Sequence, residues 1–107
     1  GRSCTVVLIG EKTAGRKWIE YEIEKSWNDS KGVLGIYIHN LKNLNGEKSI
    51  KGKNPFEDFT MKRDDEKLSS IVKAYNPPYT DSKNVYKYIS ENLSDWIEES
   101  IKIRNNY

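Results

Sequence analysis

Cysteine is all but missing from this chain of 107 residues, with Cys4 the single thiol. An intramolecular disulfide and a thiolate metal cluster are both excluded, and a reducing compartment fits that usage. Histidine is equally scarce: His39 stands alone, so no Cys/His zinc set can form and no metal is expected. Long apolar runs are absent too. None approaches the roughly 18 to 20 residues that cross a bilayer, and no secretory leader is visible. A cytoplasmic protein without a membrane partner is therefore expected. Charge of one sign is also lacking. Eighteen Lys and Arg against sixteen Asp and Glu leave a net charge of +2, too little for the concentrated basic face that binds nucleic acid. Neither an internal repeat nor a low-complexity tract is seen. The length suits a single small domain over residues 1–107. A strand begins almost at once after Gly1-Arg2-Ser3, which leads to the expectation of a domain truncated on its N-terminal side.

What is present alternates between strand and helix. Cys4 to Gly10 is an unbroken apolar run of strand length, and it reads as a strand buried on both faces, as in parallel sheets. A turn follows over Glu11 to Gly15. From about Arg16 the period becomes helical, with Ile19, Ile23 and Trp27 on one face. Asn28 to Gly32 is a turn cluster in which Gly32 is expected to cap or follow the helix end. Val33 to Asn40 reads as a second central strand, completing a βαβ unit. Residues 41–67 form a long irregular insert holding Asn43, Asn45, Gly46, several lysines and Asn54-Pro55-Phe56. Within it, Met61 to Lys67 is charged and expected to be exposed. Leu68 to Tyr75 predicts a third strand, stopped by Pro77 and Pro78. A last helix starts near Asp81 or Ser82 and carries Val85, Ile89, Leu93, Trp96, Ile97 and Ile101 at helical spacing. The pattern is α/β with few strands.

Three constellations carry chemistry. Gly10 to Lys17 has the glycine spacing of a phosphate-binding loop in the right strand-to-helix context. Arg16 and Lys17 nevertheless stand where a lysine and a hydroxyl are required, so a true loop of that class is rejected. Free backbone N–H groups and two cations at a helix start remain able to draw a diphosphate; a capped turn with solvated cations is the bland alternative. Trp18 and Glu22 lie one helical turn apart on the rim of the apolar face. A carboxylate placed there, beside an indole and near strand ends, suits a catalytic group. An ordinary surface charge is its alternative. His39 falls at the carboxyl end of the second strand, on the rim where such sheets bind ligands. It can meet substrate there or simply hydrogen-bond to backbone. Phe56 is expected to pack downward from its turn.

Thr5 to Gly10 followed by Arg16-Lys17-Trp18-Ile19-Glu20-Tyr21-Glu22-Ile23 resembles the centre of TIR-like domains. The likeness is closer to the bacterial TIR-like proteins of the Thoeris antiphage system, through Cys4–Gly10, Arg16–Ser26, Gly35–Ile38 and Gly52–Phe56. It is good from Ser3 to about Phe59 and weaker beyond. The resemblance implies a flavodoxin-like parallel sheet ordered 2-1-3-4-5, with this chain supplying strands 3 to 5 and the N-terminal strands missing. It also implies cleavage of NAD, as substrate rather than cofactor, into a cyclic ADP-ribose-type signal read by a downstream effector. Glu22 would be the catalytic residue, with Trp18, Gly10, Glu11, Arg16 and His39 lining the substrate site. The parent protein would be the NAD glycohydrolase or cyclase, and this fragment alone could be inactive without its N-terminal half. Two other readings stay open: a TIR module that signals by self-association without catalysis, and a nucleotide-binding domain that does not cleave.

Overall fold

The computed structural model describes residues 3–41, 46, 48, 50–60 and 66–107. Its order is strand β1 (Cys4–Ile9), helix α1 (Lys17–Asn28), strand β2 (Gly32–Tyr37), strand β3 (Ala74–Tyr75) and helix α2 (Ser82–Asn105). Two short 3-10 turns, Pro55–Asp58 and Leu68–Ser70, lie between β2 and β3. The three strands form one sheet in the order β1-β2-β3, and both pairings are parallel. Cys4 pairs with Gly32 and Ile9 with Tyr37, while Gly35 and Ile36 meet Ala74 and Tyr75. This is the small α/β arrangement anticipated, with a helix on each face of the sheet.

Strand periodicity divides the core. Val7, Ile9, Val33 and Tyr37 face Ile23 of α1 and are joined by Phe56, Leu68 and Val72. Leu34 and Ile36 face Trp96 of α2, with Cys4, Val6, Tyr75, Leu93 and Ile97 packed around them. Ile9, Ile23, Leu34 and Phe56 are fully buried, each contributing on the order of 1.5–3 kcal/mol of transfer free energy. Phe56 packs down as anticipated, and Asn54 Oδ1 accepts from its backbone N–H at 2.9 Å. Gly35 opens the space between them: a Cβ there would lie 2.7 Å from Ile9 Cδ1 and 2.9 Å from Phe56 Cε2.

Several expectations are corrected. The strand buried on both faces is β2, every residue of which is buried, not β1. Leu8 is 55% exposed, because α2 lies chiefly over β2 and covers β1 only at Cys4 and Val6. The second strand ends at Tyr37 rather than Asn40. The third strand is two residues long, since Leu68–Ser70 is a 3-10 turn and Val72 N–H bonds back to Leu68 O at 2.8 Å. Leu68, Ile71 and Val72 are all buried; their spacing is that of one turn of helix, not of a strand. Gly32 does not cap α1. The left-handed residue after the helix is Ser30, at φ 63°, and Gly32 starts β2 beneath α2, where a Cβ would sit 2.9 Å from Ile101 N. Asp81 precedes α2 as anticipated but makes no capping hydrogen bond through its side chain. Of the insert, Asn43, Asn45 and Met61–Asp65 lie outside the described residues. Among the described residues no helix is long and apolar enough to cross a membrane.

Candidate functional site

Parallel strands bring all their carboxyl ends to one rim, and loops there are positioned by the sheet beneath them. After β1, Gly10 N–H donates to Thr13 Oγ1 at 2.8 Å and Thr13 N–H returns to Gly10 O at 3.3 Å. Thr13 Oγ1 also donates to Leu8 O at 3.3 Å. The turn thus folds onto its own threonine, and Gly15 takes the left-handed φ of 85° that delivers the chain to α1. Arg16 stands at the N-cap without a capping bond of its own. Its Nε donates to Lys12 O at 2.9 Å, which braces the turn.

A strap formed by residues 50–53 lies across this turn. Glu11 Oε1 accepts from Ile50 N–H at 3.1 Å. Gly52 lies so close to the end of β1 that a Cβ would stand 2.0 Å from Gly10 O. Between these two contacts, Lys51 Nζ sits 4.7 Å from the centre of the Tyr37 ring, a cation–π distance. Tyr37 in turn meets His39 edge-on, with ring centres 6.3 Å apart.

His39 sits just past β2, and its Nδ1 is buried without a hydrogen-bond partner. The backbone hydrogen bond weighed as its bland alternative is therefore not made by that atom. Burial first, and the Lys51 charge second, hold the imidazole below its ordinary pKa. Burial, then the Glu57 carboxylate, push the Tyr37 hydroxyl upward.

Trp18 and Glu22 occupy a different part of the surface. Both are on the outward side of α1, and Trp18 is 63% exposed. Among the described residues Glu22 makes no hydrogen bond or ion pair; its charge is felt only by Lys25, one turn on, whose closer partner is Asp29. The strap therefore joins Gly10 and Glu11 and reaches His39 through the Tyr37 ring, and leaves Trp18 and Glu22 apart from them. Two open grooves lie elsewhere on the rim side of α2. One of about 550 Å³ is lined by Leu41, Asp81, Ser82, Lys83 and Tyr86. The other, about 190 Å³, is lined by Tyr79, Asn84, Lys87, Tyr88 and Glu91. Among the described residues, no three acidic, cysteine or histidine side chains gather as metal ligands.

Lys51 and Gly52 were not marked as site residues by the sequence. No local signal marked them: Gly52 stands between two lysines just before the Asn54-Pro55 turn, within a stretch that reads as a surface insert.

Residues 1–43 match the family model described as Thoeris protein ThsB, TIR-like domain. Over 55 residues, 51% of the chain, the sequence is 44% identical to a Bacillus cereus (strain MSX-D12) protein named "Putative cyclic ADP-D-ribose synthase ThsB1". That stretch makes up 29% of the relative, so the chain spans under a third of its length. Both matches bear out the resemblance to a Thoeris TIR-like domain, and the family match contains the whole of β1 and α1 together with Trp18, Glu22 and His39.

Proposed function

We propose that this chain carries the catalytic helix of a TIR-like enzyme that cleaves NAD and makes a cyclic ADP-ribose-type signal in antiphage defence. The observation that supports it most is the Trp18–Glu22 pair: one turn apart on α1, exposed, with the carboxylate engaged by no partner, inside the stretch that matches the family. In this reading the indole offers a face on which a flat base stacks. The bond between nicotinamide and ribose breaks, and nicotinamide leaves with the bonding electrons as a neutral base. Glu22 stabilises the positive charge left on the ribose and holds its hydroxyls. A nucleophile of the same molecule then bonds to the anomeric carbon and gives up its proton, closing the ring. The product serves a cytoplasmic effector that recognises the nucleotide.

The three strands correspond, in this proposal, to the third to fifth strands of a flavodoxin-like sheet. Chain that pairs with the open side of β1 completes the pocket beside Glu22. Full activity accordingly belongs to a longer protein that carries this stretch.

A second reading, assembly without catalysis, draws on two observations. Among the described residues β1 pairs only with β2 and leaves Leu8 exposed, an edge suited to association. The grooves described lie away from Glu22 as well. Nicotinamide release from NAD, measured beside sedimentation velocity on the chain and on the longer protein, separates the two. Release by the longer protein supports the enzyme; concentration-dependent association with no release supports the assembly module.

A further inference from the structure

Three features meet at the strap. Gly52 seats it against the end of β1 at a distance no side chain allows. Glu11 anchors it through Ile50 N–H. Past Tyr37, which His39 meets edge-on, lies a buried imidazole nitrogen with no partner, a desolvated group whose cost is not offset by a hydrogen bond. Such an atom in a folded protein calls for a reason, and a ligand contact is one. The cation whose charge acts on His39 is Lys51, which makes no ion pair among the described residues and rests on the Tyr37 ring instead.

We infer that the strap 50–53 forms one wall of a site for a phosphate-bearing ligand at the carboxyl ends of β1 and β2, in which Lys51 and His39 contact the phosphate.

The surrounding charges agree with an anion on the His39 side of Tyr37. Glu11 already accepts a backbone N–H from the strap, which spends one of its carboxylate oxygens. Among the described residues Glu57 is a second opposing charge at this cluster, and it acts on the Tyr37 hydroxyl. Lys51, facing His39, disfavours its protonation. An anion placed between the two cancels that repulsion, so His39 takes up a proton as the ligand binds and Lys51 leaves the ring for a charge-assisted bond. His39 Nδ1 is buried in this structure, so the inference requires the strap to shift as the ligand enters. Opening a short segment without regular structure is inexpensive compared with opening the sheet. The inference deepens the enzymatic reading by naming residues for a diphosphate. It rests on that reading for the ligand's identity alone.

His39 is the only histidine, so its imidazole resonance is unambiguous in a carbon–proton NMR spectrum of the full chain. Inorganic pyrophosphate is the first probe, with ADP-ribose and adenosine as separate arms at matched ionic strength. The site predicts a saturable shift of the His39 signal with pyrophosphate and with ADP-ribose, a rise in its apparent pKa, and no response to adenosine. ADP-ribose binding more tightly than pyrophosphate assigns the phosphate to a nucleotide; equal affinity assigns it to a free diphosphate. Lys51→Gln weakens binding about fivefold or more and raises the pKa of the unliganded His39. Glu57→Gln strengthens binding. The inference is overturned if no saturable shift occurs up to about 10 mM probe, or if Lys51→Gln binds equally well. Gly52→Ala displaces the strap and should abolish the response; since it can also disturb the fold, the two charge variants decide. Failure of NAD cleavage leaves the pyrophosphate result standing, and the two ideas fall separately.

Discussion

The two ends of this sheet are built on opposite rules. At the amino end polar groups are paired and side chains interlock. Thr5 Oγ1 meets Ser26 Oγ at 2.7 Å on the α1 side, and Cys4 Sγ meets Ser100 Oγ at 3.0 Å on the α2 side. Arg104, at the end of α2, lies 4.5 Å over the Trp27 ring and donates from Nε to Trp27 O at 3.0 Å, which ties the two helices together. At the carboxyl end Leu8 is exposed, His39 Nδ1 is unpartnered, and Glu22 and Trp18 face outward from α1. The two tryptophans that contrast most divide instead by burial: Trp96 is 7% exposed and stacks on Tyr75 with ring centres 4.3 Å apart, while Trp18 is 63% exposed and touches no other ring among the described residues.

The contrast between packed core and open surface breaks if substitutions in the two cost alike. Trp96→Ala should cost about 3–5 kcal/mol in urea unfolding, while Trp18→Ala should stay within about 0.5 kcal/mol. Gly32→Ala drives a methyl against Ser100 and the Ile101 backbone, and about 1–3 kcal/mol should be lost. Arg104→Ala, read by the same melt, should cost about 1–2 kcal/mol through its carbonyl bond and ring contact. A smaller effect follows from pH. The folded-state pKa of His39 lies below the ordinary 6.5, so the unfolded chain takes up its proton first. Its contribution is present above that value and lost as the pH falls through the folded pKa. A His39→Gln variant should flatten the dependence of the urea midpoint on pH in this window.

Much of the core was legible because it follows periodicity. The βαβ unit came from an apolar run, a 3.6-residue stripe and a second run, and the long stripe of α2 placed Val85, Trp96 and Ile101 in the core. Where tertiary position decided, the pattern misled. Leu8 is as apolar as its neighbours, and only the reach of α2 leaves it uncovered. Leu68, Ile71 and Val72 already carried helical spacing, but three residues are too few to outweigh their apolar, partly β-branched composition. The Trp18–Glu22 pair could be read from spacing, because both sit on one helix. The strap could not: Gly52 meets Gly10 across 42 positions of sequence, and no local pattern encodes that approach.

The central proposal is that Glu22 is the catalytic carboxylate of α1 and that Glu24, equally exposed, is ordinary surface charge. It is tested most directly by nicotinamide release from NAD in the longer protein, comparing Glu22→Gln with Glu24→Gln, both also checked by thermal melt. The account predicts that Glu22→Gln melts as the wild type does and loses about 100-fold or more of the release, while Glu24→Gln keeps it. Equal release by the two folded variants would contradict it.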